Sequence, residues 1–423
     1  VRDNERAAAS LGVGVVEAKL YAFALSSALA AAAGVLVAFR NPRLSFAQFN
    51  LFGNVNAVLY ATLGGIGWVG GAAVAGLAQA EGGLAHVLRH VVEVRDWYLV
   101  GASIALLVTV ISRPDGVFPD LVDRRTAIGR RRRPTAVSAP LSPRPSAGVR
   151  RVPPKALQLE DLQVRFGGVV ALDGVSLAVA PGEVVGLIGP NGAGKTTLID
   201  AASGFVAYRG SVRLGDTRLD GCSPRARAKA GLTRSFQSLE LFEDLSVGDN
   251  LAVAADDGRR WVYAADLLRP SRTRMTAAAV AAIEDFGLSP VLDLRPAELP
   301  YAQRRMVAIA RAVASSPSVL LLDEPAAGLD DWATAELTEL VRRLARDWGM
   351  GVLLVEHDVG MVMDVCDRVV VLDFGRVIAV GSPAEVRGNR AVVTAYLGDV
   401  AGGGPDVADA DVGQRAGFRA RPQ

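Results

Sequence analysis

Cysteine is nearly absent from this chain. Its 423 residues hold two, Cys222 and Cys366, too few to staple a secreted disulfide scaffold. Free thiols in a reducing compartment are the expectation. An excess of one charge sign is missing too: 46 Lys+Arg stand against 44 Asp+Glu, for a formal net charge of +2. No long acidic or basic bias marks the chain, and no nucleic acid is expected among its partners. Low hydrophobicity is also lacking. Half of the residues are hydrophobic and mean hydropathy is +0.27, which excludes disorder for most of the length. No long internal repeat is visible.

Charge is absent locally in a telling way. From Leu20 to Phe39 no residue is charged. Twenty residues at ~1.5 Å each make ~30 Å, the thickness of a bilayer's hydrocarbon core. Arg40-Asn41-Pro42-Arg43 ends the run. The next uncharged run, Leu44 to Ala80, spans 37 residues. A single helix of that length would reach ~56 Å, too long for one crossing. The glycines at 64, 65, 67, 70 and 71 predict two arms folded back on each other, roughly 47–63 and 69–88. Trp97 to Ser112 is a fourth, shorter run with the aromatic anchor pair Trp97-Tyr98 at one end. Arg113, Arg124, Arg125 and Arg130 to Arg133 follow, and no acidic residue lies between Asp123 and Glu160. Positive loops stay in the cytoplasm. Residues 1–19 carry Arg2, Arg6 and Lys19 and are placed on the same side. Two inside ends require an even number of crossings, and four fits.

Residues 124–155 are basic and Pro-rich, as an extended linker would be. A topology signal plus solvated tether is favoured there over a lipid-binding role. Beyond Ala156 short Val/Leu/Ile runs alternate with helical stretches, an α/β pattern. Within it Val184 to Ile188 reads as a buried strand. Gly189-Pro190-Asn191-Gly192-Ala193-Gly194-Lys195-Thr196-Thr197 follows, and a helix starts after it. This strand–loop–helix matches the phosphate-binding loop. Its glycines let backbone N–H groups wrap phosphates, and the helix N-terminus adds ~+0.5 charge. Lys195 supplies a mobile cation and the Thr196 hydroxyl a Mg²⁺ ligand. Val319 to Leu322 is a second buried strand, ending in Asp323 and Glu324. Asp323 is placed to hold Mg²⁺, and Glu324 to polarise the attacking water. His357 follows a third apolar strand, Gly351 to Glu356, and is placed to donate to the γ-phosphate. These nucleotide-site motifs occur as one set, not two. No Asn-Lys-x-Asp occurs, which disfavours a guanine-reading GTPase.

In this order, with Gln237 and Leu299 to Gln303 between the strands, the residues resemble the ATP-binding cassette (ABC) ATPases over about 156–398. The resemblance implies roles position by position. Phe166 stacks on adenine. Gln237 touches Mg²⁺ and faces the membrane subunit. Leu299, Pro300, Tyr301, Ala302 and Gln303 form the signature that caps ATP on an opposite cassette. Asp330 lies in the loop that communicates across that dimer. Glu324, His357 and Gln237 form the catalytic set. Pro300-Tyr301, Gly231 to Gln237, Asp323 to Gly328 and Ala395-Tyr396-Leu397-Gly398 resemble the branched-chain amino-acid importers in particular. One departure is Ala302, where that subfamily has Gly: its methyl group would narrow the approach to phosphate or demand a conformation Gly tolerates better. Arg2 to Arg6, Lys19 to Phe23, Leu63 to Gly67 and Arg113 to Val117 resemble the last part of the matching permease.

The implied organisation is an α-helical membrane segment of about four spans (1–123), the linker (124–155), an α/β P-loop ATPase domain with a helical subdomain (156–400) and a disordered tail (401–423). The implied protein is a multi-pass component of the cytoplasmic (inner) membrane using ATP and Mg²⁺. Its partners are the lipid bilayer, a second cassette in a homo- or heterodimer, permease subunits and an extracytoplasmic substrate-binding protein. Val1 in place of Met fits either a fragment or a GTG start codon, and these four spans alone do not complete a pore. The cytoplasmic segment 1–19 is expected to dock on the cassette near Gln237. The alternatives are an ABC exporter fragment and a non-transport or weakly hydrolysing ABC protein. His86 and His90, spaced i, i+4, lack a third metal ligand and are discounted as a metal site. Gly67 and Gly71 form a G-x-x-x-G, equally a packing motif or a hairpin turn.

Overall fold

The structure is a computed structural model. It describes residues 5–40, 51–65, 69–78, 107–108, 111–112, 118, 152–254 and 275–397. Residues 124–151 of the linker, the C-terminal tail, His86, His90, Gly67 and the Trp97-Tyr98 pair lie outside them. Two compact units emerge. One comprises Val1–Tyr21 with Pro143–Gln423, the other Ala22–Ser142. By packing, residues 5–21 thus group with the ATPase domain, although in sequence they lead into the first apolar run.

Four helices come first: α1 (Glu5–Ser10), α2 (Val15–Arg40), α3 (Leu51–Gly64) and α4 (Val69–Ala78). Among the described residues α2 is the one helix long and apolar enough to cross a membrane, over Val15–Phe39. Its Leu, Val and Phe side chains point outward rather than into a protein core. Helices α3 and α4 cover the described parts of the two predicted arms and fold back at the glycines. Their backbones nearly touch: a Cβ on Gly64 would lie 2.0 Å from the Gly71 carbonyl oxygen, and one on Gly71 would lie 2.5 Å from that of Gly64. Only glycine allows this approach.

The ATPase domain holds, in chain order, β1 (Leu157–Phe166), β2 (Val169–Val179), β3 (Val184–Ile188), α5 (Lys195–Ser203), β4 (Arg209–Leu214), β5 (Thr217–Arg218), α6 (Pro224–Ala230), β6 (Leu232–Ser235), α7 (Val247–Ala254), α8 (Ala277–Asp285), α9 (Tyr301–Ala314), β7 (Val319–Asp323), α10 (Asp331–Trp348), β8 (Gly351–Val355), α11 (Val359–Val365), β9 (Arg368–Asp373), β10 (Arg376–Gly381), α12 (Pro383–Arg387) and α13 (Arg390–Leu397). A six-stranded sheet runs β10-β9-β3-β8-β7-β6, and a four-stranded antiparallel sheet runs β2-β1-β4-β5. Strands β9, β3, β8, β7 and β6 are mutually parallel. Their Val/Leu runs are buried on both faces, as parallel strands covered by helices must be. The loops leaving β3, β8, β7 and β6 therefore open at one edge of the sheet, where α/β folds build their sites.

An apolar cluster lies among α7, α8 and α9, and Ala7 and Leu11 belong to it together with Leu241, Phe242, Val247 and Leu251. Ala7 and its neighbour Ala8 are both fully buried. Arg225 at the start of α6 donates from Nε to the Gly12 carbonyl (2.9 Å) and pairs with Glu17 (2.9 Å). The segment expected to dock near Gln237 thus packs on the ATPase domain in the cluster that includes Leu241 and Phe242.

Candidate functional site

The phosphate loop follows β3 and is shaped by three glycines. Gly189 sits so close to β9 that a Cβ would lie 2.1 Å from the Leu372 carbonyl oxygen. Gly192 and Gly194 take φ of +84° and +101°, the left-handed region that disfavours side chains. The Gly375 N–H donates to the Ala193 carbonyl (3.0 Å) and braces the loop from the β9–β10 turn. Lys195 opens α5. Its ammonium lies across the loop and donates to the carbonyls of Gly189 (2.7 Å) and Pro190 (3.0 Å). Burial pushes it below the usual lysine range, while Glu324 and Asp323 pull the other way. Asn191, Gly192 and Thr196 are exposed, and Pro190 and Thr197 are half-buried. Phe166 is exposed at the β1–β2 hairpin. Strand β2 of that hairpin abuts the loop, because a Cβ on Gly194 would lie 2.6 Å from the Ala171 carbonyl oxygen.

Glu324 is the centre of the arrangement. It follows β7 with φ +48°, a conformation that costs a non-glycine residue about 1–3 kcal/mol and concentrates at functional sites. Its Oε2 accepts a hydrogen bond from Gln237 Nε2 at 2.6 Å. Its Oε1 lies 2.6 Å from His357 Nε2. The three residues assigned to catalysis thus meet, although 87 and 33 positions separate the partners from Glu324 in the chain. Strand order explains the meeting: β6, β7 and β8 are neighbours, and each contributes a residue one or two positions beyond its end.

Asp323 is buried at the end of β7. Arg234 Nη2 pairs with it at 2.7 Å, and Arg234 Nη1 pairs with Asp200 on α5. Burial pushes the Asp323 carboxyl above its usual range, and Arg234 opposes that rise. Glu356 at the end of β8 is buried too. It accepts from the N–H groups of Ala326 (2.6 Å) and His357 (3.1 Å), which fixes the turn after Glu324 and the start of the His357 turn. Burial pushes its pKa up, against those bonds. Arg234 and Glu356 were not assigned roles from sequence. Arg234 sits in the short strand Leu-Thr-Arg-Ser and Glu356 follows the apolar run of β8, and their burial is the signal that only the fold reveals.

The signature residues start α9. Pro300 occupies the N-cap, Tyr301 and Gln303 are exposed, Ala302 is half-buried and Leu299 is buried. Ala302 lies inside the helix and is not among the residues with positive φ. The left-handed conformation that its departure from Gly could have required is therefore not needed. Asp330 is exposed, and its carboxylate caps α10 by accepting from Ala333 N–H at 2.8 Å.

Three families match this chain. Residues 172–327 match one described as ABC transporter, and residues 376–402 one described as branched-chain amino acid ATP-binding cassette transporter. Residues 1–108 match the permease component of the branched-chain amino acid transport system. The high-affinity branched-chain amino acid transport ATP-binding protein LivG of Escherichia coli K12 is 39% identical over 249 residues, 57% of this chain and 98% of that protein. BraF of Pseudomonas aeruginosa, with the same description, is 36% identical over the same shares. A crystal structure of an ABC transporter cassette in its ADP conformation aligns with TM-score 0.51 and 29% identity, over 58% of this chain and 99% of that one. A nucleotide-free cassette aligns with the same score and identity.

Proposed function

We propose a working cycle from one premise: the chain belongs to the ATP-binding cassette family, as the ATPase of a branched-chain amino-acid importer with permease helices on the same polypeptide. ATP enters with its phosphates on the N–H groups of Gly192 to Thr196, and the adenine rests on Phe166. Lys195 trades the carbonyls of Gly189 and Pro190 for phosphate oxygens. Glu324 polarises water for attack on the γ-phosphate, help of a kind worth about 10²–10⁴ in rate. Gln237 and His357 hold the two oxygens of that carboxylate. With ATP in place, His357 passes its Nε2–H from Glu324 to the γ-phosphate.

The donor set suits Mg²⁺. Thr196 and Asp323 offer hard oxygens with Gln237 near, and the described residues contain no cluster of three or more His, Cys, Asp or Glu side chains. Mg²⁺ takes one or two protein ligands and completes its shell with water and substrate phosphates. When bound, it neutralises charge on the phosphates.

A second cassette, identical or different, supplies the opposite signature, so that each Leu299 to Gln303 segment caps the other's ATP. ATP's higher affinity for the closed pair supplies the work. The packed segment Glu5 to Glu17 carries that motion toward the helices that follow it. The chain is a multi-pass component of the cytoplasmic membrane. It imports branched-chain or related amino acids with further permease subunits and an extracytoplasmic binding protein.

The observation that carries this reading is the grip of Gln237 and His357 on Glu324 beside the phosphate loop. Glu324→Gln in the full chain is expected to lower phosphate release by about 10²–10⁴ and to leave ATP binding intact. Unchanged turnover would overturn the assignment.

A further inference from the structure

We infer that Arg305 and Tyr301 are positioning residues that join three loops of the catalytic site into one moving body. The inference rests on the roles proposed above for Gln237, Glu324 and the Leu299 to Gln303 segment. Arg305 is a charged side chain only 1% exposed. Its hydrogen bonds go to no carboxylate. Nη1 donates to the Gln237 carbonyl (2.8 Å) and, more weakly, to that of Phe236 (3.4 Å). Nη2 donates to the Ala327 carbonyl (3.2 Å) and to the Tyr301 hydroxyl (3.1 Å). The Tyr301 hydroxyl in turn donates to the same Ala327 carbonyl (3.3 Å). The Tyr301 ring also closes on Gly328, where an added Cβ would lie 3.1 Å from Cε1.

Three segments meet at this one guanidinium: the strap leaving β6, the first turn of α9, and the loop between Glu324 and Asp330. A guanidinium is a rigid planar fork, so its bonds fix directions as well as distances. Moving one segment alone would strand a buried N–H or carbonyl, which is costly away from water. A shift of α9 caused by ATP at the signature therefore reaches Glu324 by two routes. One runs through the backbone of Gln237, whose side chain holds Glu324 Oε2. The other runs through Ala327, whose N–H donates to the Glu324 carbonyl at 3.2 Å. Tyr301 stands where the common ABC signature has Gly, so the aromatic ring adds a brace which that residue cannot supply.

The test separates positioning from folding by comparing turnover with nucleotide affinity in the full chain reconstituted in bilayers. Arg305→Met is expected to lower kcat at least about tenfold while equilibrium ATP affinity stays within about threefold. Arg305→Lys, a point donor in place of a fork, is expected to recover only part of that loss. Tyr301→Phe keeps the ring and removes the hydroxyl, and is expected to lower kcat about two- to fivefold at an unchanged melting temperature. Wild-type kcat in Arg305→Met, or kcat and affinity falling in parallel, would overturn the inference. Should Arg305→Met fail to fold, wild-type kcat in both Arg305→Lys and Tyr301→Phe would do the same. Glu324→Gln in the same assay keeps the two readings apart: turnover retained there defeats the site assignment itself, whereas its loss alongside unaffected Arg305 and Tyr301 variants defeats only the positioning role.

Discussion

The ATPase unit and the N-terminal helical unit use glycine and hydrophobic side chains in opposite ways. In the ATPase unit Val and Leu are buried on both faces of a parallel sheet, and the buried carboxylate of Asp323 is paired with Arg234. Its glycines turn the chain, letting the phosphate loop present N–H groups. In the helical unit the apolar residues of α2 face outward. The α3–α4 contact comes from glycines that let two backbones touch. One unit is organised by taking apolar surface out of water. The other is organised by close packing where apolar surface need not be hidden. The same residue types therefore carry different meanings on either side of Tyr21.

Breaking the buried pair tests the first half of this comparison most severely. Arg234→Met leaves Asp323 buried without its cation, and should cost about 3–5 kcal/mol of the ATPase unit's stability in urea unfolding. A loss below about 1 kcal/mol would mean that water reaches Asp323.

The glycines sharpen the contrast. Gly189→Ala forces a methyl against the Leu372 carbonyl, and Gly64→Ala forces one against that of Gly71. Gly189→Ala should lower both melting temperature and nucleotide binding, by about 1–3 kcal/mol in stability. Gly64→Ala should leave nucleotide binding within about twofold and instead part α3 from α4, read as lost crosslinking between cysteines introduced on the two helices. Equal effects on nucleotide binding would erase the distinction between the units.

The smallest effects belong to the docked N-terminal segment and to the thiols. Arg225→Ala removes a half-exposed pair with Glu17 and one bond to Gly12, and should cost no more than about 1 kcal/mol. It should nevertheless raise hydrogen exchange in residues 5–14. Burial pushes the Cys366 thiol up to about 12. In the native protein at pH 8 it should resist alkylation that Cys222, which is less buried, accepts.

Much of the site was legible in advance because its motifs are local. Gly189 to Thr197 needs only a strand before it and a helix after it, and both were readable from the apolar runs. Asp323 to Glu324 and His357 could be placed at strand ends for the same reason. Arg234, Glu356 and Arg305 could not, because a charged residue in sequence reads as a solvated one until the fold buries it. The concern raised by Ala302 also needed the structure, since only backbone dihedrals tell whether a methyl group there is strained.

The sequence alone determined the phosphate loop, the apolar run of α2 and the glycine fold-back between α3 and α4. These depend on neighbours within a few turns of chain, through residue periodicity, missing charge and backbone freedom. Only the tertiary structure decided that Gln237 and His357 grip Glu324, that Ala7 and Leu11 seat on the ATPase unit, and that Arg305 joins three loops. Those contacts link residues tens to hundreds of positions apart. They exist because parallel crossovers set β6, β7, β8 and β3 side by side, an order that long-range burial selects and no short stretch of sequence encodes.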